Sequence, residues 1–187
     1  MIGQSSGKVM KSAGMVYLGS DAEEDKRAVI PSKSYLNFEN ACPLNLTKVL
    51  HPFAVRPNTN GRGIVVSVWR ISEDGVWTLM GRYNPNPLQA YYLLRNDSLE
   101  LRPNDWMAMR CTVYNDQDHD IYYGLDDASE TCNSYTMYYV DGNDVPSLDD
   151  CESYGPPYYS WATDPNIPGT SVPEWVDIES SRLKFDQ

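Results

Sequence analysis

Short alternations of apolar and polar residues recur from Met15 to Val140, interrupted by Gly, Pro, Asn and Asp, and no segment carries apolar residues at helical spacing. This pattern predicts strands at Met15–Leu18, Ser34–Asn40, Val49–Arg56, Gly63–Ile71, Trp77–Tyr83, Tyr91–Leu94, Ser98–Leu101, Trp106–Tyr114 and Asn133–Val140. Glu73-Asp74-Gly75 lies between two strong β segments and reads as a hairpin turn, because glycine tolerates the positive φ such a turn requires. Asn84-Pro85-Asn86-Pro87 cannot continue a ladder, since proline has no N–H to donate. Many short antiparallel strands at this spacing imply an all-β fold, a jelly-roll β-sandwich over residues 1–151. Beyond Cys151 the composition shifts. Prolines 156, 157, 165, 168 and 173 with Gly155 and Gly169 are expected to break regular structure in a tail, 152–187. Its Trp161 and Trp175 need cover, so the tail is expected to pack on the domain or on a neighbour.

Length and composition narrow the picture. A chain of 187 residues with 41% hydrophobic residues is long enough for one domain with a core built without metal or cofactor. Fifteen Lys and Arg against 26 Asp and Glu give a net charge of -11, which repels phosphate backbones and anionic lipid. Nucleic acid is therefore an unsuitable partner, and the lack of a run of about 18 apolar residues argues against membrane insertion. The first twenty residues hold no apolar core of signal-peptide length, so an export signal is expected upstream or already removed.

Cys42, Cys111, Cys132 and Cys151 form no CxxC pair and have no histidine cluster beside them, so two disulfides are favoured over zinc, with three connectivities open. Asn45-Leu46-Thr47 and Asn96-Asp97-Ser98 are N-glycosylation sequons. With the cysteines they favour an extracellular or secretory setting. Asp116, Asp118, Asp120, Asp126 and Asp127 space oxygen donors as a calcium loop does, but Ile121 stands at the turn-glycine position, so a solvated acidic loop is preferred. His119 reads as a surface residue, and Met107 and Met109 as core or sheet-face residues.

Period-two geometry singles out two segments. If extended, Arg56, Asn58 and Asn60 project to one face, and so do Thr131, Asn133 and Tyr135. Set side by side, these rows would offer a cation, three carboxamides, a hydroxyl and a phenol, suited to hydrogen bonding a carboxylate or an amide. No carboxylate pair, histidine or thiol stands among them, so they do not suit general acid–base chemistry.

The run His51-Pro52-Phe53-Ala54-Val55-Arg56-Pro57-Asn58-Thr59-Asn60 resembles the H-x-F-A-x-R-x-H-T-H segment of the copper type II, ascorbate-dependent monooxygenases. The resemblance continues in order through Trp77–Pro85, Asn104-Asp105-Trp106, Arg110-Cys111-Thr112 and Glu130-Thr131-Cys132-Asn133 to Met137-Tyr138-Tyr139. It is to the second copper domain of that family, a jelly-roll sandwich, and it implies the disulfides Cys42–Cys151 and Cys111–Cys132. The resemblance also marks three departures. The family's copper ligands there are the two histidines of H-T-H and a methionine before the cysteine that matches Cys132. Here Asn58, Asn60 and Thr131 stand at those positions. Carboxamide and hydroxyl oxygens hold a soft cuprous ion weakly, so no metal and no cofactor are expected. His51 matches a family position that is not a ligand.

In the peptidylglycine branch of the family, an arginine, an asparagine and a tyrosine grip the carboxylate at a peptide's C-terminus. Arg56, Asn133 and Tyr135 match them. Guanidinium pairs with carboxylate in a bidentate fork, so this trio is coherent without metal. A plainer reading has Asn133 and Tyr135 supporting the sheet and Arg56 as a surface charge. The expected function is thus a non-catalytic extracellular module that binds peptide C-termini or joins other protein subunits, self-assembly included. The alternative is a fragment of a copper-dependent peptide or amine hydroxylase.

Overall fold

The computed structural model describes residues 11–21, 27–86, 90–148, 150–169 and 171–182. Among the described residues there are eleven strands, β1 (Lys11–Ser20), β2 (Val29–Ile30), β3 (Tyr35–Pro43), β4 (His51–Thr59), β5 (Gly63–Ile71), β6 (Trp77–Tyr83), β7 (Tyr92–Leu93), β8 (Trp106–Tyr114), β9 (Ile121–Tyr122), β10 (Cys132–Asp141) and β11 (Cys151–Ser153). One sheet has the order β11-β1-β10-β4-β7 and the other β3-β8-β5-β6, while β2 and β9 pair as a small ribbon. From β3 to β8 the chain passes from sheet to sheet at every connection except the β5–β6 hairpin, and β10 to β11 likewise stays within one sheet. That alternation, between a four-stranded sheet and a sheet of three long strands flanked by the short edge strands β7 and β11, is the crossing pattern of a jelly-roll sandwich.

Strands β5, β6 and β8 have the bounds predicted from the sequence, whereas Ser98–Leu101 contributes only a single bridge, Leu50 to Leu101. Gly75, at φ +81°, turns the hairpin, closed by a hydrogen bond from Gly75 N to the Ser72 carbonyl at 2.8 Å. A side chain there would strike Gly169 of the tail, 2.8 Å from where its Cβ would lie.

The burial of each strand shows what lies on its two sides. In β4, exposure alternates along most of the strand, because Val55, Pro57 and Thr59 face the core while Arg56 and Asn58 face outward. Strand β8 from Met107 to Val113 is buried at every position, so both of its faces are covered. On the inner side, Leu18, Phe38, Val55, Val66, Val68, Met107, Met109 and Val140 fill the space between the sheets. On the outer side, Trp69, Ile71, Trp77 and Ala108 pack against Trp161, Ile167 and Val176 of the C-terminal segment.

That segment corrects one expectation. It contains a 3₁₀ turn at Trp161–Thr163 and a helix, α1 (Glu174–Ser181), lying across β5 and β8. The helix begins directly after Pro173, where a missing N–H costs nothing, and Glu174 and Asp177 in its first turn suit the helix dipole. The prolines therefore set the helix boundary rather than forbid a helix. Arg110 fastens the layer: its Nε donates to Glu39 Oε1 at 2.6 Å and its Nη1 to the Asp177 carbonyl at 3.0 Å. The Trp161 N–H donates to Glu39 Oε2 at 2.7 Å, and the Arg110 guanidinium lies 4.8 Å from the Trp161 ring centre.

The disulfides pair Cys42 with Cys151 and Cys111 with Cys132, with Cα separations of 5.7 and 6.0 Å. Each joins a strand of one sheet to a strand of the other. Among the described residues, no helix is long and apolar enough to cross a membrane.

Candidate functional site

Three neighbouring strands lay out the outer face of the five-stranded sheet in transverse rows. Antiparallel pairing sets Asn133 opposite Asn58 and Tyr135 opposite Arg56, while β1 places Gly19 beside Asn133 and Tyr17 beside Tyr135. The next row is Met15, Met137, Ala54 and Leu93. Period two thus brings the two polar segments together on one surface, as their sequence implies.

Within these rows Asn133 is 4% exposed, and Arg56, Asn58 and Tyr135 are half-buried. The Arg56 guanidinium carbon lies 6.0 Å from the Tyr135 ring centre, and the Tyr17 ring sits 5.3 Å beyond. Burial pushes the Tyr17 phenol well above its ordinary range, and Tyr123 and Glu152 nearby add to that. Tyr17 therefore stays a neutral wall of the site. Among the described residues, two polar atoms of these rows are buried without a hydrogen-bond partner, the Arg56 Nε donor and the Asn133 Oδ1 acceptor. The Asn133 amide nitrogen donates to Thr131 Oγ1 at 3.3 Å.

Asn60 and Thr131 lie just beyond the strand ends. The Asn60 side chain turns to the neighbouring loop, donating to the Ser129 carbonyl at 3.1 Å. Glu130, fully buried, holds the hairpin tip by accepting from Asn60 N at 2.6 Å and Arg62 N at 2.9 Å. Neither Glu130 nor Tyr17 is among the candidate site residues that the sequence points to. The alternation of Met15, Tyr17 and Gly19 with Val16 and Leu18 is the signal that places Tyr17 on the outer face. Nothing local marks Glu130 as a cap for a turn 70 residues away.

Burial raises the Glu130 carboxyl above its ordinary 4.5, against the lowering by the two N–H donors and Arg62. A carboxyl whose pKa is raised by folding binds more protons folded than unfolded. Its contribution is therefore most favourable at pH 4.5 and below, and is lost as pH rises through the folded-state value. Thermal melts from pH 4.5 upward should show the wild type losing stability relative to Glu130→Gln; a constant difference would mean that Glu130 ionises as an ordinary carboxyl.

Elsewhere the candidates disperse. His51 stacks on Tyr139, with ring centres 4.7 Å apart, seven residues before Asn58 on β4 and so roughly 20 Å from it. His119 is exposed in the acidic loop. The aspartates there point to separate partners: Asp120 to Ser32 N at 2.9 Å, Asp118 to Lys33 at 3.0 Å and Asp126 to Arg27 at 3.3 Å. Among the described residues, no group of three or more His, Cys, Asp or Glu side chains converges on a metal position. Asn45 and Asn96 are both exposed.

A two-sheet jelly roll with disulfides between its sheets and a polar outer face defines the class of the domain. Residues 11–164 match the model of the copper type II ascorbate-dependent monooxygenase C-terminal domain, and the chain belongs to that family. The match runs past Cys151 to include Trp161 and ends before α1. The chain is 35% identical over 151 residues to peptidyl-glycine alpha-amidating monooxygenase B of Xenopus laevis, covering 80% of this chain and 17% of that protein. It is 33% identical over 149 residues to the A form of the same organism, covering 79% and 16%. To peptidylglycine alpha-amidating monooxygenase of Rattus norvegicus it is 30% identical over 149 residues, covering 78% and 15%. It therefore spans less than a fifth of the length of each.

The family name implies copper, and the donor set here does not fit it. Asn58 and Asn60 offer amide groups and Thr131 a hydroxyl that already accepts from Asn133, with no imidazole or thioether at these positions. What the rows can do is donate to an anion through Arg56 and accept an N–H at Asn133.

Proposed function

We propose that this chain is a non-catalytic module of the secretory pathway that binds peptides by their C-terminal carboxylate through Arg56, Asn133 and Tyr135. The observation that supports this reading is the pair of buried, unpartnered atoms, a donor on Arg56 and an acceptor on Asn133, on diagonal positions of adjacent strands. Such positions are about 7–8 Å apart at Cα, close enough for one amino-acid residue to bridge. The last residue of a peptide carries the complementary groups, a carboxylate for the guanidinium and an N–H for the amide oxygen. The Tyr135 ring lies beside the guanidinium, its centre 6.0 Å from the guanidinium carbon. The two disulfides and exposed Asn45 and Asn96 agree with passage through an oxidising, glycosylating compartment.

Titrating a short peptide acid against its amide tests this reading. A charge-assisted hydrogen bond is worth about 1.5–3 kcal/mol, so the acid should bind roughly ten- to a hundredfold more tightly. Arg56→Ala should erase that preference. Equal affinity of the wild type for acid and amide would remove the reading.

Two other readings are separable. Membership of a copper monooxygenase family favours the hydroxylase-fragment alternative. Metal analysis after copper loading is expected to find only trace copper, and stoichiometric retained copper would restore that alternative. Trp161 and Val176 are buried in their own domain, so a subunit-joining role through the aromatic tail would have to use its other residues. Trp175, 52% exposed, is the tail tryptophan a neighbour could reach.

A further inference from the structure

On the open side of the sandwich, edge strand β6 of one sheet faces edge strand β7 of the other across a cavity of about 610 Å³. That volume lies within the roughly 300–1,000 Å³ of small-molecule sites. Its wall holds the Tyr83 and Tyr92 rings, stacked with centres 5.1 Å apart and planes at 24°. Leu93, 77% exposed, and the Arg95 and Asn96 side chains also line it. Asn96 is the acceptor residue of the second sequon. Its Oδ1 is held by Ser98, accepting from Ser98 N at 3.1 Å and from the hydroxyl at 2.7 Å, which leaves Nδ2 as the group available for attachment.

We propose that this cavity is the seat of the chain's own N-linked glycan, with the first N-acetylglucosamine units on Asn96 lying against the Tyr83–Tyr92 pair and Leu93. A saccharide has an apolar C–H face and a rim of hydroxyl and acetamido groups. The cavity offers the matching arrangement, aromatic and aliphatic surface bordered by a guanidinium and carboxamides. In the attachment step, Nδ2 of Asn96 bonds to the anomeric carbon of a polyprenyl-pyrophosphate-linked oligosaccharide. The C–O bond to pyrophosphate breaks, the lipid pyrophosphate leaves with the bonding electrons, and one amide proton passes to base. Asn45 lies outside this cavity, exposed in the connection between β3 and β4, so a glycan there has no such seat.

The inference rests on the secretory reading, and Asn45 provides the control that separates the two. The full chain is produced in a secretory host held at high-mannose glycans. The native protein is then treated with an endoglycosidase that cuts between the two core N-acetylglucosamines, with release read site by site by mass spectrometry. Asn96 is expected to be occupied and to release its glycan roughly tenfold or more slowly than Asn45, because the core sugars must first lift off the wall. Leu93→Ser, at an exposed position, should speed release at Asn96 and leave Asn45 unchanged. An occupied Asn45 with a bare Asn96, equal release at the two sites, or no effect of Leu93→Ser would each overturn the proposal. Two bare sites would overturn the secretory reading along with it.

Discussion

Replacing Cys42 and Cys151 together by alanine is expected to lower stability by about 4–5 kcal/mol, the loop-closure value for a cross-link spanning roughly 100 residues. The two cysteines are 109 residues apart, whereas Cys111 and Cys132 are 21 apart. Since closure entropy grows as the logarithm of loop length, removing the long-range bridge should cost about 1.5 kcal/mol more than removing the short one. Domains of this kind have only about 5–15 kcal/mol in total, so the double variant should melt far below the wild type. Denaturant unfolding of both double variants checks the order. If losing Cys111–Cys132 costs more, the bridges act through native packing, and chain entropy is not the main term.

The second large effect is expected at Arg110. Removing the guanidinium in Arg110→Ala leaves Glu39 buried, at 6% exposure, without its counter-charge, and a broken buried pair costs about 3–5 kcal/mol. The same change releases Asp177, whose carboxylate accepts from Arg110 Nη2 at 2.5 Å, so α1 should loosen as well. Arg110→Met combined with Glu39→Gln should recover much of the loss. The glutamine carbonyl still accepts from Trp161 N, and no unpaired charge is left inside. Equilibrium unfolding measures the energy, and faster proteolysis within 165–173 reports the loosened segment. A cost below about 1 kcal/mol, the range of exposed ion pairs, would mean that water solvates this network.

The sheet framework was legible because strands β5, β6 and β8 are apolar-rich runs, each opened or closed by β-branched or aromatic residues, between strong turn signals. Asn84-Pro85 and Glu73-Asp74-Gly75 ended or turned them as expected. The short strands β2, β9 and β11 escaped because two or three residues are too few for a period to show. The near-continuous apolar run Ile64-Val65-Val66-Ser67-Val68-Trp69 carries the signature of a strand covered on both faces, yet what covers it lies about a hundred residues later. The prolines of the tail obscured that layer. At the site, period two placed Arg56, Asn58, Asn133 and Tyr135 on one surface from local sequence alone. The turning of Asn60 toward Ser129 depends on a loop distant in sequence, and no local pattern encodes it.

Because α1 and the 3₁₀ turn seal one broad sheet face, and among the described residues no such layer covers the other, the molecule has a front and a back. A surface that captures the chain from its C-terminal side would present the Arg56 row to solution. Capture through the opposite side would bury that row against the support. Orientation alone should then decide whether an immobilised sample responds to a peptide passed over it.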